Sequence, residues 1–212
     1  MFEQIRWIGG SPCAGKSSIS EVLARQYSFP LYHCDAALER HQQAITAEAQ
    51  PTMHRLIQMS WDALWTRPVA RQVAEEQAFY AEEFPFILHD LVAAAATPMI
   101  VEGTALLPEL IAPLLDHPRQ AIWLVPTPTF QVDHYRQRPW VAPLLEHCTD
   151  PVQAFSNWMA RDVQFADMVE ARCNQRGLRV LRIDGTQTIT DLVDEVADWL
   201  QLPLQPHLSS CL

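Results

Sequence analysis

Gly10-Ser11-Pro12-Cys13-Ala14-Gly15-Lys16-Ser17-Ser18 is the stretch on which the fold turns. It holds the pattern G-x-x-x-x-G-K-[ST] in full. The 212 residues contain only six glycines, and Lys16 is the one lysine among 15 basic residues, so four matched positions set a chance occurrence on the order of one in ten thousand. The flanks agree with the motif. Upstream, Gln4-Ile5-Arg6-Trp7-Ile8 is short, β-branched and aromatic, which predicts a strand. Downstream, Ile19, Val22, Leu23 and Tyr27 fall on one helical stripe, with Ser18, Ser20, Glu21 and Arg25 on other faces. Strand, glycine-rich loop and helix is the context the pattern needs.

Outward from that unit the chain keeps alternating. Pro30 to Cys34 predicts a second strand closing at Asp35. Residues 36–96 lack glycine and read as almost wholly helical. Val69, Val73, Tyr80 and Phe84 form a stripe that continues through Ile87, Leu88, Leu91 and Val92, with Pro85 marking a break or kink. Met99-Ile100-Val101-Glu102 predicts a third strand closed by Gly103, and a helix is expected after Pro108. Ala121 to Val125 is a continuous apolar run of the kind buried on both faces of a parallel sheet. Phe130–Arg138 and Val152–Arg176 read as helices, Leu178–Ile183 as a fifth strand. Thr188 can cap a last helix carrying Ile189, Leu192, Val193, Val196 and Leu200 on one face. Five strands separated by helices predict one doubly wound α/β domain over residues 1–202. The stretch 36–96 is too long for a plain crossover and predicts a helical insertion over the sheet edge. An irregular tail is expected over 203–212.

Composition narrows the function. A formal charge of −10 without a basic tract disfavours nucleic acid, whose phosphates call for clustered positive charge. The N-terminus has no basic-then-apolar leader, and the apolar stretch Leu91–Val101 is interrupted by Thr97 and Pro98 and too short to span a bilayer. Five cysteines without a C-x-x-C pair indicate neither a disulfide framework nor a zinc site, and the eight histidines show no paired spacing. A soluble cytoplasmic protein, with no membrane or nucleic-acid partner, is expected.

A phosphate chain is polyanionic and needs converging backbone N–H groups. Glycine supplies them by tolerating positive φ and close approach, and the N-terminus of the next helix adds partial positive charge. Residues Gly10 to Ser18 are therefore the candidate phosphate cradle. Lys16 would place a full charge between β- and γ-phosphates, and the Ser17 hydroxyl would take a position on Mg²⁺. Lying on a loop, Lys16 is expected to be exposed and to pack little. Cys13 has two readings, a thiol with lowered pKa at the helix entry or a packed, inert one.

The run Gly9 to Ser18 resembles the P-loop of the small-molecule and nucleoside/nucleotide kinases, the group that holds shikimate kinase, gluconate kinase, chloramphenicol phosphotransferase and adenylate kinase. The order of elements is similar along nearly the whole chain. What the resemblance implies is a five-stranded parallel sheet of order 2-3-1-4-5, ATP and Mg²⁺ as cofactors, a small-molecule acceptor site over the second and third strands, and an arginine-bearing lid after the fourth, about residues 128–150.

On that reading Asp35, at the end of the second strand, takes the acceptor hydroxyl's proton or holds the acceptor, and it can also cap the following helix. Glu102 stands where a Walker B acid would. Aspartate is commoner there, so the longer arm suggests contact with Mg²⁺ through water, or with the acceptor. The two acids could exchange roles. Arg136 and Arg138 resemble lid residues that neutralise the transferring group, although solvated arginines would look the same. Arg161 is a fainter candidate of that kind. Asp184-Gly185-Thr186 lies where the group cradles adenine, and a tight turn alone would also explain it. Trp61, Trp65, Phe79, Tyr80 and Phe84 read first as core and secondarily as a roof over the acceptor. The reading as a whole is an ATP- and Mg²⁺-dependent kinase of a small-molecule hydroxyl. The alternative is a nucleotide-binding ATPase or switch coupled to a protein partner.

Overall fold

A computed structural model describes residues 2–92 and 97–203. The end of the predicted insertion (93–96) and nearly all of the predicted tail, with Cys211, lie outside the described residues.

Five strands form one parallel sheet: β1 (Ile5–Gly10), β2 (Leu31–His33), β3 (Met99–Glu102), β4 (Ala121–Pro126) and β5 (Val180–Ile183). Their order is β2-β3-β1-β4-β5, the order expected. The register decides what meets at the C-terminal edge. Glu102, the last residue of β3, pairs with Ile8 of β1 on one side and His33 of β2 on the other. Open α/β sheets bind ligands along that edge.

Alternation along the strands splits the apolar residues between two layers. Trp7, Val101 and Trp123 face α5 (Val69–Val92) and α9 (Pro151–Gln175), which contribute Phe84, Ile87, Leu91, Phe165 and Val169. Ile8, Ile100, Ile122 and Leu124 face α1 (Lys16–Tyr27) and α10 (Ile189–Trp199), which contribute Ile19, Leu23, Leu192, Val193 and Val196. Thr188 caps α10 as predicted: its hydroxyl accepts from the Asp191 N–H at 3.2 Å, and the Asp191 carboxylate accepts from the Thr188 N–H at 3.0 Å. That is a reciprocal capping box.

Within the described part of the predicted insertion, residues 36–92, the chain is mostly helical but serves two purposes. It holds α2 (Cys34–Gln42), α3 (Pro51–Leu56), α4 (Trp61–Trp65) and α5. α5 runs without a break through Pro85, whose exposed ring needs no room in the core. Its second half, through Phe84, Ile87 and Leu91, is the crossover helix of the sheet itself. The segment before it carries Trp65 at the end of α4. There Trp65 joins Tyr135 of α7 (Pro128–Arg136), Val141 and Leu145 of α8 (Val141–Leu145), and Trp158 and Met159 of α9 in a third, smaller apolar cluster. Among the described residues no helix is long and apolar enough to cross a membrane.

Candidate active site

The loop from Gly10 to Gly15 is shaped by backbone that most side chains refuse. Gly10 has φ +130°, and a Cβ there would lie 1.9 Å from the Leu124 carbonyl oxygen, so β4 can approach only glycine. Cys13 and Gly15 take left-handed φ values of 63° and 76°. Successive N–H groups in such a run turn inward and make an anion-binding concavity. α1 opens directly from it with no side-chain cap and no acid in its first turn, leaving its first N–H groups and positive end for a ligand. The loop is braced from α7, where buried Gln131 donates through Nε2 to Pro12 O at 2.9 Å and to Ser11 Oγ at 3.2 Å.

Lys16 is not the exposed residue the sequence suggests. It is only 6% exposed, and its Nζ donates to the Ser11 carbonyl at 2.8 Å. The loop folds back over its own lysine, so the aliphatic stem packs while the ammonium satisfies a buried carbonyl. Cys13 resolves toward the inert reading. Burial pushes its thiol up to about 11, overriding the pull of Arg138 and Lys16 toward the thiolate.

Glu102 is buried and its Oε1 is shared: the Ser17 hydroxyl donates to it at 3.1 Å, and His33 Nδ1 lies 2.7 Å away. This places the β3 acid beside the hydroxyl of the phosphate loop. A hydroxyl and a carboxylate are hard oxygen donors of the kind Mg²⁺ takes when most of its remaining sites go to water and phosphate, so Ser17 and Glu102 fit that ion. His33 carried no motif, and only the strand register reveals it. Asp35 differs from the reading as a strand terminus. The chain turns helical at Cys34, and Asp35 sits exposed in the first turn of α2.

One cavity of about 680 Å³ gathers most of these groups. Its wall includes Pro12 to Ser18 of the loop, Asp35 and Leu38 of α2, Thr104, Trp65, Tyr135, Arg138, Trp140, Trp158 and Arg161. α5 contributes Gln72, Glu76, Phe79, Tyr80 and Glu83. Arg138 lies over the Tyr135 and Trp140 rings, with its guanidinium carbon 5.3 and 5.6 Å from their centroids. Arg136 is directed elsewhere, exposed and 3.7 Å from Asp133. Asp184, Gly185 and Thr186 do not line the cavity. They form a tight turn after β5 in which Asp184 Oδ1 accepts from the Thr186 N–H and hydroxyl at 2.9 and 2.7 Å.

Arg161 turns out to be more central than its sequence signal suggested. Its guanidinium pairs with Asp162 at 2.6 Å and Glu76 at 3.3 Å and stands 4.9 Å from the Trp65 ring. Burial alone would lower its pKa, but Asp162 and Glu76 outweigh that and hold it charged. Burial likewise pushes Glu76 above the ordinary carboxylate range, against the pull of Arg161. Behind the cavity, His41 bridges Glu83 and Asp90 at 3.0 Å each, and Asp90 also accepts from Tyr32 at 2.6 Å and from Arg40. A signal for the α5 wall existed in the sequence: Gln72, Glu76, Tyr80 and Glu83 recur at helical spacing beside an apolar stripe.

Three solved structures with a similar course of chain are described as kinases, one of them provisionally. A shikimate kinase from Acinetobacter baumannii in complex with shikimate is 15% identical, covers 95% of this chain and 95% of its own, and has a TM-score of 0.48. A shikimate kinase from Bacteroides thetaiotaomicron is 15% identical, with 93% and 98% covered and a TM-score of 0.46. A protein from Chloroflexus aurantiacus provisionally described as a kinase is 16% identical, with 97% and 100% covered and a TM-score of 0.42. No protein-family model matches the chain, and no curated protein matches it. The architecture is a P-loop fold by its own strand order and by the glycine loop that follows β1.

Proposed function

We propose that this protein is an ATP- and Mg²⁺-dependent kinase that transfers the γ-phosphoryl group to a hydroxyl of a small molecule. The observation that carries the reading is the shared cavity, in which the phosphate loop, an exposed carboxylate (Asp35) and an arginine without an ion pair among the described residues (Arg138) line one space.

The loop N–H groups from Cys13 to Ser18 and the start of α1 hold the phosphates, and Lys16 exchanges the Ser11 carbonyl for a phosphate oxygen. Ser17 and Glu102 hold the magnesium ion, which when bound neutralises charge on the β- and γ-phosphates. His33 keeps Glu102 turned toward Ser17. Asp35 receives the acceptor's proton as the acceptor oxygen bonds to the γ-phosphorus and the bond to the β-bridging oxygen breaks, releasing ADP. Arg138 supplies positive charge beside the loop, and the segment around 128–150 that carries it closes as a lid. Adenine lies toward the Asp184–Thr186 turn. Asp35 rather than Glu102 is the base, because Glu102 is buried and already committed to Ser17 and His33, while Asp35 has no side-chain partner among the described residues and lies in the cavity wall.

ADP release with and without a pool of hydroxylated metabolites tests this. Stimulation by an acceptor, with stoichiometric phosphorylated product, is expected. Calorimetry that registers no heat with magnesium nucleotides, together with no nucleotide protection from unfolding, overturns it.

A further inference from the structure

The cavity wall around Asp35 is apolar where it is open and satisfied by the chain where it is polar. Asp35 and Leu38 fall three residues apart on α2 and share one face. α5 stands close by: burial raises the pKa of Tyr80 and of Glu83, and the charge of Asp35 adds to both. Leu56 and Ile57 at the end of α3, Leu64 of α4 and Phe79 of α5 line the same cavity, as does Trp140 before α8. Ile57 and Trp140 are 43% and 45% exposed, large apolar side chains left open to solvent on the wall of a cavity.

The polar side chains of that wall are held by the chain itself. Arg67 pairs with Glu75 and donates through Nε and Nη2 to the Leu64 carbonyl at 3.3 and 3.0 Å. Arg161 is held between Asp162 and Glu76, and Glu76 also accepts from the Tyr80 hydroxyl at 3.2 Å. Gln72 donates through Nε2 to the carbonyls of Trp65 and Arg67 at 3.2 and 2.8 Å, and Glu83 lies 3.0 Å from His41 Nδ1. A ring of hydroxyls entering here would leave water without gaining matching partners, which costs affinity. An apolar ring gains by leaving water, and the Phe79, Tyr80 and Trp140 rings offer it edge and face contacts. Arg138 has no ion pair among the described residues and is available to an anionic group, so the wall selects the body of the acceptor and not its charge.

We infer that the acceptor is an alcohol with an apolar ring next to its reacting hydroxyl, seated against Leu38, Ile57, Phe79 and Trp140, and that this ring rather than further hydroxyls carries most of its binding. With the hydroxyl at Asp35, the first surface its body meets along α2 is Leu38. This rests on the kinase reading, which places the reacting hydroxyl at Asp35.

Its test titrates the full chain by calorimetry, in the presence of Mg²⁺ and a non-hydrolysable ATP analogue. Three pairs of probes exchange a methyl group for a phenyl ring and keep every hydroxyl and charge: propylene glycol and phenylethylene glycol, methyl and phenyl β-glucoside, lactate and mandelate. In each pair that binds, the phenyl member is expected to bind at least about tenfold more tightly. A pair that binds without that preference overturns the inference, and so does silence from all three phenyl members in a protein that binds the analogue. Failure of the analogue itself to bind is seen in its own titration and brings down the kinase reading. Ile57→Ser changes an exposed side chain outside the catalytic and phosphate-binding groups. Affinity for the analogue should therefore stay within about twofold, while the phenyl preference falls at least about threefold. An unchanged preference overturns the wall assigned to the ring. The wild-type pairs decide even if that variant folds poorly.

Discussion

Replacing Lys16 by methionine separates its two duties. The side chain is buried, so methionine keeps the volume of the stem while removing the ammonium. What the fold loses is the bond to the Ser11 carbonyl at 2.8 Å. A hydrogen bond from a charged donor is worth about 1.5–3 kcal/mol, but the variant no longer has to bury an ammonium, so stability should move by no more than about 2 kcal/mol. Binding is another matter. A full charge about 4 Å from a phosphate charge is worth about 4 kcal/mol at the effective dielectric of a protein surface. Some of that is offset because the ammonium gives up Ser11 as it engages phosphate. A net loss of about 2–3 kcal/mol corresponds to about a thirty- to hundred-and-fifty-fold weaker magnesium nucleotide, with a larger deficit in turnover because charge on the transferring group peaks in the transition state. Calorimetry reads the affinity and urea unfolding confirms the fold. An intact variant that binds within twofold of wild type would refute the cradle. Alanine is the poorer choice, since it adds a cavity to the lost charge.

Three further outcomes follow from single residues. Gly10→Ala should cost more than about 3 kcal/mol in urea unfolding, because its Cβ would lie 1.9 Å from backbone oxygen at a φ of +130°; a change under 1 kcal/mol, on the order of a surface substitution, contradicts the geometry. Cys13, pushed up to about 11 by burial, should hold under about 1% thiolate at pH 8. Its alkylation by iodoacetamide, read by mass spectrometry of its peptide, should then climb about tenfold per pH unit from 8 to 10, and a flat profile is incompatible with that. For Asp90 burial works upward, but hydrogen bonds from Tyr32, His41 and Arg40 outweigh it and bring the carboxyl down to about 2. A lowered folded-state value means stability present above the ordinary value near 4 and lost as pH falls toward 2. Asp90→Asn should therefore cost about 1 kcal/mol at pH 7, after allowance for solvent screening, and the gap to wild type should close below pH 4. A gap that persists at pH 2 assigns the cost to packing instead.

The sheet was legible because its signals are local. β3 and β4 are short apolar runs fenced by Gly103 and Pro126, and the glycine loop marks where β1 must end. Strand order came from the resemblance of the loop, since nothing in a single strand states its neighbours. Pro85 makes no break in α5, for a physical reason. A proline costs a helix one hydrogen bond, and here the cost is offset by burial of Phe84, Ile87 and Leu91 on the opposite face. Asp35 was read one element early because the helix nucleates at Cys34, a boundary that propensity does not mark.

The site was legible only where backbone shape demanded particular residues. Gly10, Gly15 and the Lys16-Ser17 pair announce themselves because few other side chains tolerate that turn or serve its ligand. Glu102 could be found because it ends a strand. His33 and Gln131 act through partners 69 and 119 positions away, and no spacing along the chain encodes such pairings, while the α5 wall shows its helical spacing but not its partners on α9. Arg161 shows the consequence. Read alone, an arginine on a polar helix face is one more solvated charge, and read with Glu76 and Asp162 it is a half-buried cation inside a carboxylate pair. The difference matters for the cavity: the Arg161 guanidinium is neutralised by the chain between Asp162 and Glu76, whereas Arg138, in the same wall, has no ion pair among the described residues. Which charges the fold has spent on itself is information that exists only once α5 and α9 have packed together.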